Sequence, residues 1–86
     1  MRRVAKIDLA IPEIAASRVL NSVYSRATVL QPCVALEIIK RQFAKEGGSL
    51  AQYEVGLGLA LKRGWLALNE NGTCAQFTQV GIEEYV

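Results

Sequence analysis

The chain has 86 residues and no histidine, and it contains only two cysteines, two prolines and one tryptophan. The lack of histidine excludes acid–base catalysis by imidazole, nucleophilic triads that depend on histidine, and most catalytic zinc sites. Gly56-Leu57-Gly58 lacks the lysine and the serine of a phosphate-binding loop. The carboxylates are scattered along the chain without visible pairing. We therefore expect a protein that is not an enzyme and that needs neither a cofactor nor a metal.

Long hydrophobic runs are also missing. No segment approaches the roughly 18 uncharged apolar residues that a membrane-spanning helix needs, so we expect no membrane partner. Arg2, Arg3 and Lys6 resemble the basic start of a signal peptide, but Asp8 and Glu13 interrupt any apolar core region. On that ground we reject secretion and expect a cytoplasmic protein.

The two cysteines, Cys33 and Cys74, lie far apart in the sequence and show no metal-ligand spacing. A structural disulfide is not expected in a chain without a secretory signal. The sequence instead favours two free cysteines that pack as small buried hydrophobes in a reducing cytoplasm.

Apolar residues make up 51% of the chain, which is generous for a single small domain. Some of this apolar surface should stay exposed in the monomer, so we expect a self-association face and a homodimer.

The charge is divided unevenly between the two parts of the chain. Residues 1–48 carry eight basic and four acidic side chains, whereas residues 49–86 carry two basic and four acidic ones.

The hydrophobic pattern predicts one domain of class α+β, mainly α, with three helices followed by a two-stranded hairpin. Ser49 and Gln52 form a capping box that starts the third helix, and Gly64 ends it. An Asn71-Gly72 turn between two apolar runs predicts the hairpin. The predicted segments are an extended arm or edge strand at 1–11, helices at 12–30, 32–46 and 49–63, and the hairpin at 65–79.

Gly56 and Gly58 lie inside the third predicted helix, where together they cost about 1.5–2 kcal/mol relative to alanine. We expect either a kink at this point or another backbone packed closely against the helix.

The stretch from Pro32 to Gly81 resembles the winged helix–turn–helix domains of PadR-type transcriptional regulators and, more loosely, of MarR-type regulators. Three motifs carry the resemblance, and they occur in the expected order. They are Ala35-Leu36-Glu37-Ile38-Ile39-Lys40-Arg41, Ala60-Leu61-Lys62-Arg63-Gly64-Trp65-Leu66 and Phe77-Thr78-Gln79-Val80-Gly81.

The resemblance implies a dimeric regulator whose third helix enters the major groove of double-stranded DNA while the hairpin, or wing, straddles the backbone. The outward positions of the third helix would then be Ala51, Gln52, Val55, Gly56 and Leu59. Gln52 would contact a base, and Tyr53 would reach a phosphate. The other implied phosphate contacts are Arg2, Arg3, Lys40, Arg41, Lys45, Lys62 and Arg63. The wing tip offers no cation, and Glu70 there has the wrong sign for a phosphate neighbour.

Several of these residues have a simpler structural role that competes with DNA binding. We favour Gln52 as the capping partner of Ser49, and Lys62 and Arg63 as cations that stabilise the end of the helix dipole. Trp65 fits a hairpin core anchor better than a stacking platform. Val55, Gly56 and Leu59 form an apolar strip that would suit packing against protein. The alternative function is therefore a winged-helix module for protein interaction or dimerisation without sequence-specific DNA binding.

Overall fold

The computed structural model describes residues 11–85, and the side chains of residues 11–83. The predicted arm at residues 1–11 therefore lies outside the described part except for Ile11. As expected, the fold is of class α+β and mainly helical. Its elements are α1 (Pro12–Arg26), β1 (Val34–Ala35), α2 (Leu36–Lys45), α3 (Leu50–Lys62), β2 (Leu66–Leu68), β3 (Cys74–Phe77) and α4 (Gln79–Tyr85).

Helix α1 ends at Arg26, four residues before the predicted end at residue 30. The backbone is already extended at Ala27, and a local turn between Thr28 and Gln31 replaces the last helical turn. The Thr28 amide donates to the Gln31 carbonyl at 3.0 Å, and the Gln31 amide donates to Thr28 Oγ1 at 2.8 Å. A threonine side chain that bonds its own backbone competes in this way with helix continuation.

Helix α2 begins at Leu36, so the predicted start at residue 32 was wrong. Val34 and Ala35 instead form a short strand that pairs antiparallel with β3, opposite Ala75 and Cys74 respectively. The Leu36 amide donates to the Thr73 carbonyl at 2.9 Å and extends this contact into the helix. The predicted two-stranded hairpin is therefore part of a three-stranded sheet of order β1-β3-β2.

Cys33 and Cys74 form a disulfide, contrary to the expectation of free thiols. The pair is 41 residues apart in sequence, but the Cα atoms are only 5.6 Å apart. Ala35 lies opposite Cys74 across the antiparallel strands. Cys33 therefore shares a face with Cys74 as its diagonal neighbour, a position from which side chains can meet. Strand pairing supplies a proximity that the sequence spacing does not reveal.

The core lies where α1 crosses α3 and the start of the sheet. Ala15, Val19 and Val23 of α1 are fully buried together with residues from α2, α3 and the strands. The Phe43 and Tyr53 rings meet edge to face, with centroids 6.0 Å apart. This core joins the helices and the sheet into one packed unit and leaves one side of α3 in solvent.

The predicted wing ended at residue 79, but Gln79 already belongs to helix α4. Thr78 Oγ1 accepts a hydrogen bond from the Gly81 amide at 2.9 Å, and this hydroxyl also lies against the carbonyl of Gly64. A Cβ atom at Gly81 would collide with the Trp65 carbonyl. The motif at 60–66 and the motif at 77–81, which both carry the family resemblance, therefore contact one another.

Candidate nucleic-acid interface

Helix α3 has two faces with different surroundings. Tyr53, Gly56 and Ala60 are buried against the rest of the domain. Ala51, Glu54, Val55, Gly58 and Lys62 are exposed. The exposed set follows the three- and four-residue spacing of one helix face, so these side chains form a continuous strip. We call this strip the open face of α3.

Gln52 is engaged in the local structure of the helix start. Its backbone amide donates to Ser49 Oγ at 3.1 Å, and its side-chain Oε1 accepts from the Ser49 amide at 3.1 Å. These two bonds are the reciprocal capping box that the sequence predicts. A bidentate contact to adenine would use this same Oε1 together with Nε2, so it competes with the second bond, and the capping role is the one that the structure contains.

Tyr53 lies in the core and not on the open face, because its side chain is only 6% exposed. Its hydroxyl points at the Leu36 carbonyl, 3.5 Å away. Burial raises the pKa of the Tyr53 hydroxyl above its usual value, and the Glu37 and Glu54 carboxylates raise the pKa further. Tyr53 is therefore poorly placed for the predicted phosphate contact, because the residue is buried and its hydroxyl is directed at the Leu36 carbonyl.

Gly56 was expected on the outward strip, and that placement was wrong. A Cβ atom at Gly56 would lie 2.7 Å from the Ala15 carbonyl carbon and 2.8 Å from its oxygen. The glycine therefore allows the backbones of α1 and α3 to approach closely, which confirms one of the two explanations expected for it. Gly58 has no neighbour within 4 Å of its Cβ position and faces solvent.

The remaining residues of the predicted interaction strip are accessible. Val55 is 50% exposed, and Leu59 is half-buried beside it on the same helix. The open face of α3 therefore combines apolar and small side chains with one acid and one base. A base-reading helix would need more hydrogen-bonding side chains at these positions.

The predicted phosphate contacts on α2 are all exposed, but they differ in their partners. Lys40 Nζ lies 3.2 Å from Glu37 Oε1, one turn earlier on the same helix. Arg41 and Lys45 have no acidic partner within ion-pair distance among the described residues. These two cations are therefore better placed than Lys40 to neutralise a phosphate.

At the end of α3, Lys62 and Arg63 are both exposed. Arg63 Nη2 lies 3.8 Å from Glu13 Oε2, and its guanidinium carbon lies 5.4 Å from the centre of the Trp65 ring. Trp65 itself packs against the core. Arg63 thus braces the helix end, and Lys62 is the freer cation. Arg2 and Arg3 lie outside the described residues.

The hairpin loop, residues 69–73, is organised by Asn69. Its Oδ1 accepts from the Thr73 amide at 2.8 Å and from the Cys74 amide at 3.1 Å. Gly72 has φ +68°, which permits the tight turn that the Asn-Gly pair predicts. The loop is exposed and contains Glu70 but no cation. The bracing role of Asn69 was not predicted, although a polar residue two positions before an Asn-Gly pair is a recognisable turn signal.

None of the described helices combines the length and hydrophobicity needed to cross a lipid bilayer. In residues 11–85 no group of three or more histidine, cysteine, aspartate or glutamate side chains is placed to hold a metal ion. Comparison of the chain with protein-family models, with curated proteins and with solved structures found no match.

Proposed function

We propose that the chain is a winged helix–turn–helix domain. The observation that carries this proposal is the order α1-β1-α2-α3-β2-β3, with β1 on the outer side of β3. The turn between α2 and α3 contains Gly47, whose φ of +94° reverses the chain before the capped start of α3. The contact between Thr78 and Gly64 supports the resemblance to PadR-type regulators, because it joins two of its motifs.

The domain binds double-stranded DNA mainly through the phosphate backbone. Arg41, Lys45 and Lys62 support this function, since they are exposed and form no ion pair among the described residues. Phosphate neutralisation supplies most of the affinity of non-specific DNA binding. Lys40 and Arg63 can contribute when their carboxylate partners are displaced, and Arg2 and Arg3, which lie outside the described residues, add two positive charges to the chain.

Base discrimination by this domain is weak. On the open face of α3, Ala51 and Val55 can touch only apolar groups such as a thymine methyl. Glu54 would repel phosphates and can accept only from a cytosine amine. Because Gln52 serves the helix cap, specificity has to come from a second copy or from DNA shape. We propose a cytoplasmic homodimeric transcriptional regulator of this kind, which reads two half-sites with modest preference.

Binding of a random duplex, measured across a salt series, tests the proposal. The logarithm of the association constant should fall with log salt by about 0.9 for each phosphate contact. Lys62→Ala should flatten the slope by about one, and Arg41→Ala together with Lys45→Ala by about two.

Arg18→Ala is the matched control, because it also removes one positive charge but Arg18 lies on α1, away from the proposed contacts on α2 and α3, and its Nε is 3.7 Å from the Glu46 carboxylate. The control should leave the slope unchanged. Absence of duplex binding at about 50 mM salt, where phosphate contacts are strong, would refute the DNA-binding function.

A protein-interaction module is the second candidate, and the composition of the open face favours it. Val55 is 50% exposed and Gly58 is open, so another protein could approach this helix closely. A high apolar fraction and a shortage of charged residues are typical of the buried centre of a protein interface.

Sedimentation of Val55→Glu tests this second candidate. If the open face holds a second copy, the variant should sediment as a smaller species while its helical content stays the same. Val29→Glu is the control, because Val29 is 98% exposed on a loop outside α3 and the substitution adds the same charge. Equal sedimentation of both variants and the unsubstituted chain would exclude the open face as the dimer contact.

A further inference from the structure

The disulfide between Cys33 and Cys74 lies at the wall of an open groove. Both cysteines are only half-buried, and both line a groove of about 600 Å³ beside the short strand β1. Arg26, Leu30, Pro32 and Ile38 form other parts of its wall. A small molecule that enters this groove can therefore reach the bridge without opening the core.

The bridge is separate from the packed centre of the domain. Neither cysteine belongs to the buried cluster of α1, α2, α3 and the sheet. The segment from Ala27 to Cys33 carries Val29 and Leu30, which are 98% and 92% exposed, and its turn is closed by hydrogen bonds between Thr28 and Gln31. Val34, the first residue of β1, does belong to that cluster, so loss of the bridge would release the surface segment at 27–33 while Val34 and the main core stay packed.

We propose that Cys33 and Cys74 form a reversible thiol–disulfide exchange site whose substrates are small thiols of the glutathione class. The thiolate of one such molecule attacks one sulfur of the bridge, forms a mixed disulfide and releases the other cysteine as a thiolate. A second molecule attacks the mixed disulfide and releases the remaining cysteine. Two thiols are oxidised to one disulfide, and the two electrons reduce the protein bridge.

Arg26 gives this site its electrostatic character. Arg26 is the one charged residue among the described residues that line the groove. Its Nη2 donates to Gln42 Oε1 at 3.2 Å. Because Arg26 lines the same groove as both cysteines, its positive charge favours the departing thiolate. The same positive charge attracts an anionic thiol more than a neutral one.

Native-state reduction followed by alkylation and intact-mass measurement tests the proposal. Before reduction, the denatured chain should take up no alkyl group. In reduced glutathione without denaturant, both cysteines should become alkylated together while the circular dichroism of the helices is retained. Hydrogen exchange should then accelerate in residues 27–33 and stay slow in α1 and α3.

The dependence on urea distinguishes a reversible site from a bridge that opens only on unfolding. Reduction through the groove should proceed at the same rate in low, non-denaturing urea. A rate that rises steeply with urea would show that global unfolding is required, and this result would overturn the proposal. Alkylation of both cysteines before any reduction would overturn it as well, because no bridge would then exist.

Arg26→Gln and Arg26→Lys form a matched pair of variants. Arg26→Gln should slow the reaction with glutathione severalfold and the reaction with neutral β-mercaptoethanol much less, whereas Arg26→Lys should retain most of the rate. Equal rates for all three chains with both thiols would show that Arg26 has no role in the exchange reaction.

Discussion

The buried face and the open face of α3 each contain a glycine, but the two glycines have different surroundings. On the buried face, Gly56 lies against the Ala15 backbone, where a Cβ atom has no room. On the open face, Gly58 has nothing within 4 Å of its Cβ position. Both glycines lower the intrinsic stability of the helix, but only Gly56 gains a close helix–helix contact in return. A glycine in a helical sequence therefore indicates a close helix–helix contact only when it is known to lie on the buried face of the helix.

The largest effect should come from adding a methyl group to the buried face. Gly56→Ala should lower the free energy of unfolding by about 2–3 kcal/mol, because the Ala15 backbone has to move away. Urea unfolding followed by circular dichroism measures this change. The better helix propensity of alanine works against the loss, so a neutral result would mean that α1 and α3 separate easily and that the close approach is not needed.

The same substitution on the open face should act in the other direction. Gly58→Ala should raise the free energy of unfolding by up to about 1 kcal/mol, because alanine is the better helix former and meets no neighbour. The midpoint of urea unfolding checks the sign. Destabilisation would show that Gly58 is covered by another part of the protein or by a second copy, and it would break the contrast between the two faces.

Ser22 is a residue of α1 whose side-chain hydroxyl is buried in the domain. Ser22 is 2% exposed, and its Oγ is the buried side-chain polar atom without a partner among the described residues. Ser22→Ala should therefore raise the free energy of unfolding by about 0.5–1 kcal/mol, since it removes an unpaired polar atom. Thermal unfolding measures the change, and Ser17→Ala on the exposed side of α1 is the control. A loss of stability in Ser22→Ala would show that the hydroxyl has a partner.

The smallest effect at neutral pH should come from Tyr53→Phe. The hydrogen bond to Leu36 is long at 3.5 Å, so its loss should cost less than about 1 kcal/mol. At high pH the difference in unfolding free energy between Tyr53→Phe and the unsubstituted chain should change. Because burial raises the pKa of Tyr53 above 10.0, the unfolded chain loses this proton first, and stability falls as pH rises from about 10 through the folded-state pKa.

Unfolding free energies of Tyr53→Phe and the unsubstituted chain, compared between pH 8 and pH 11, check this sign. The variant should lose less stability than the unsubstituted chain over this range. Tyr24→Phe is the control, because Tyr24 is 61% exposed on α1. A parallel decline of all three chains would mean that Tyr53 titrates as it does in the unfolded state.

Local signals in the sequence predicted the parts of the fold that depend on near neighbours. The Ser49–Gln52 cap and the Asn71-Gly72 turn occur where they were expected, because a cap and a tight turn are decided by a few adjacent residues. Helix α1 was predicted too long, since the stripe of apolar spacing continued to Leu30 while the Thr28 turn had already ended the helix. The open face of α3 was predicted only in part, because Ala51 and Val55 are exposed as expected whereas Gly56 is buried.

Strand β1 and the disulfide could not be predicted from local signals. Val34 and Ala35 are too few to show a strand pattern, and they become a strand only because β3 lies beside them. The same pairing brings Cys33 to Cys74. Periodicity alone also did not give the orientation of Gly56, because a glycine carries no side chain that marks it as buried or exposed.

By itself, the sequence determined the mainly helical α+β class, the helix cap, the hairpin turn and the shortage of base-reading groups on α3. These features follow from backbone preferences and side-chain chemistry within a few residues. The tertiary structure decided the third strand, the disulfide, the burial of Tyr53 and the different roles of Gly56 and Gly58. Each of these depends on segments far apart in the chain, which meet only when the hydrophobic core forms.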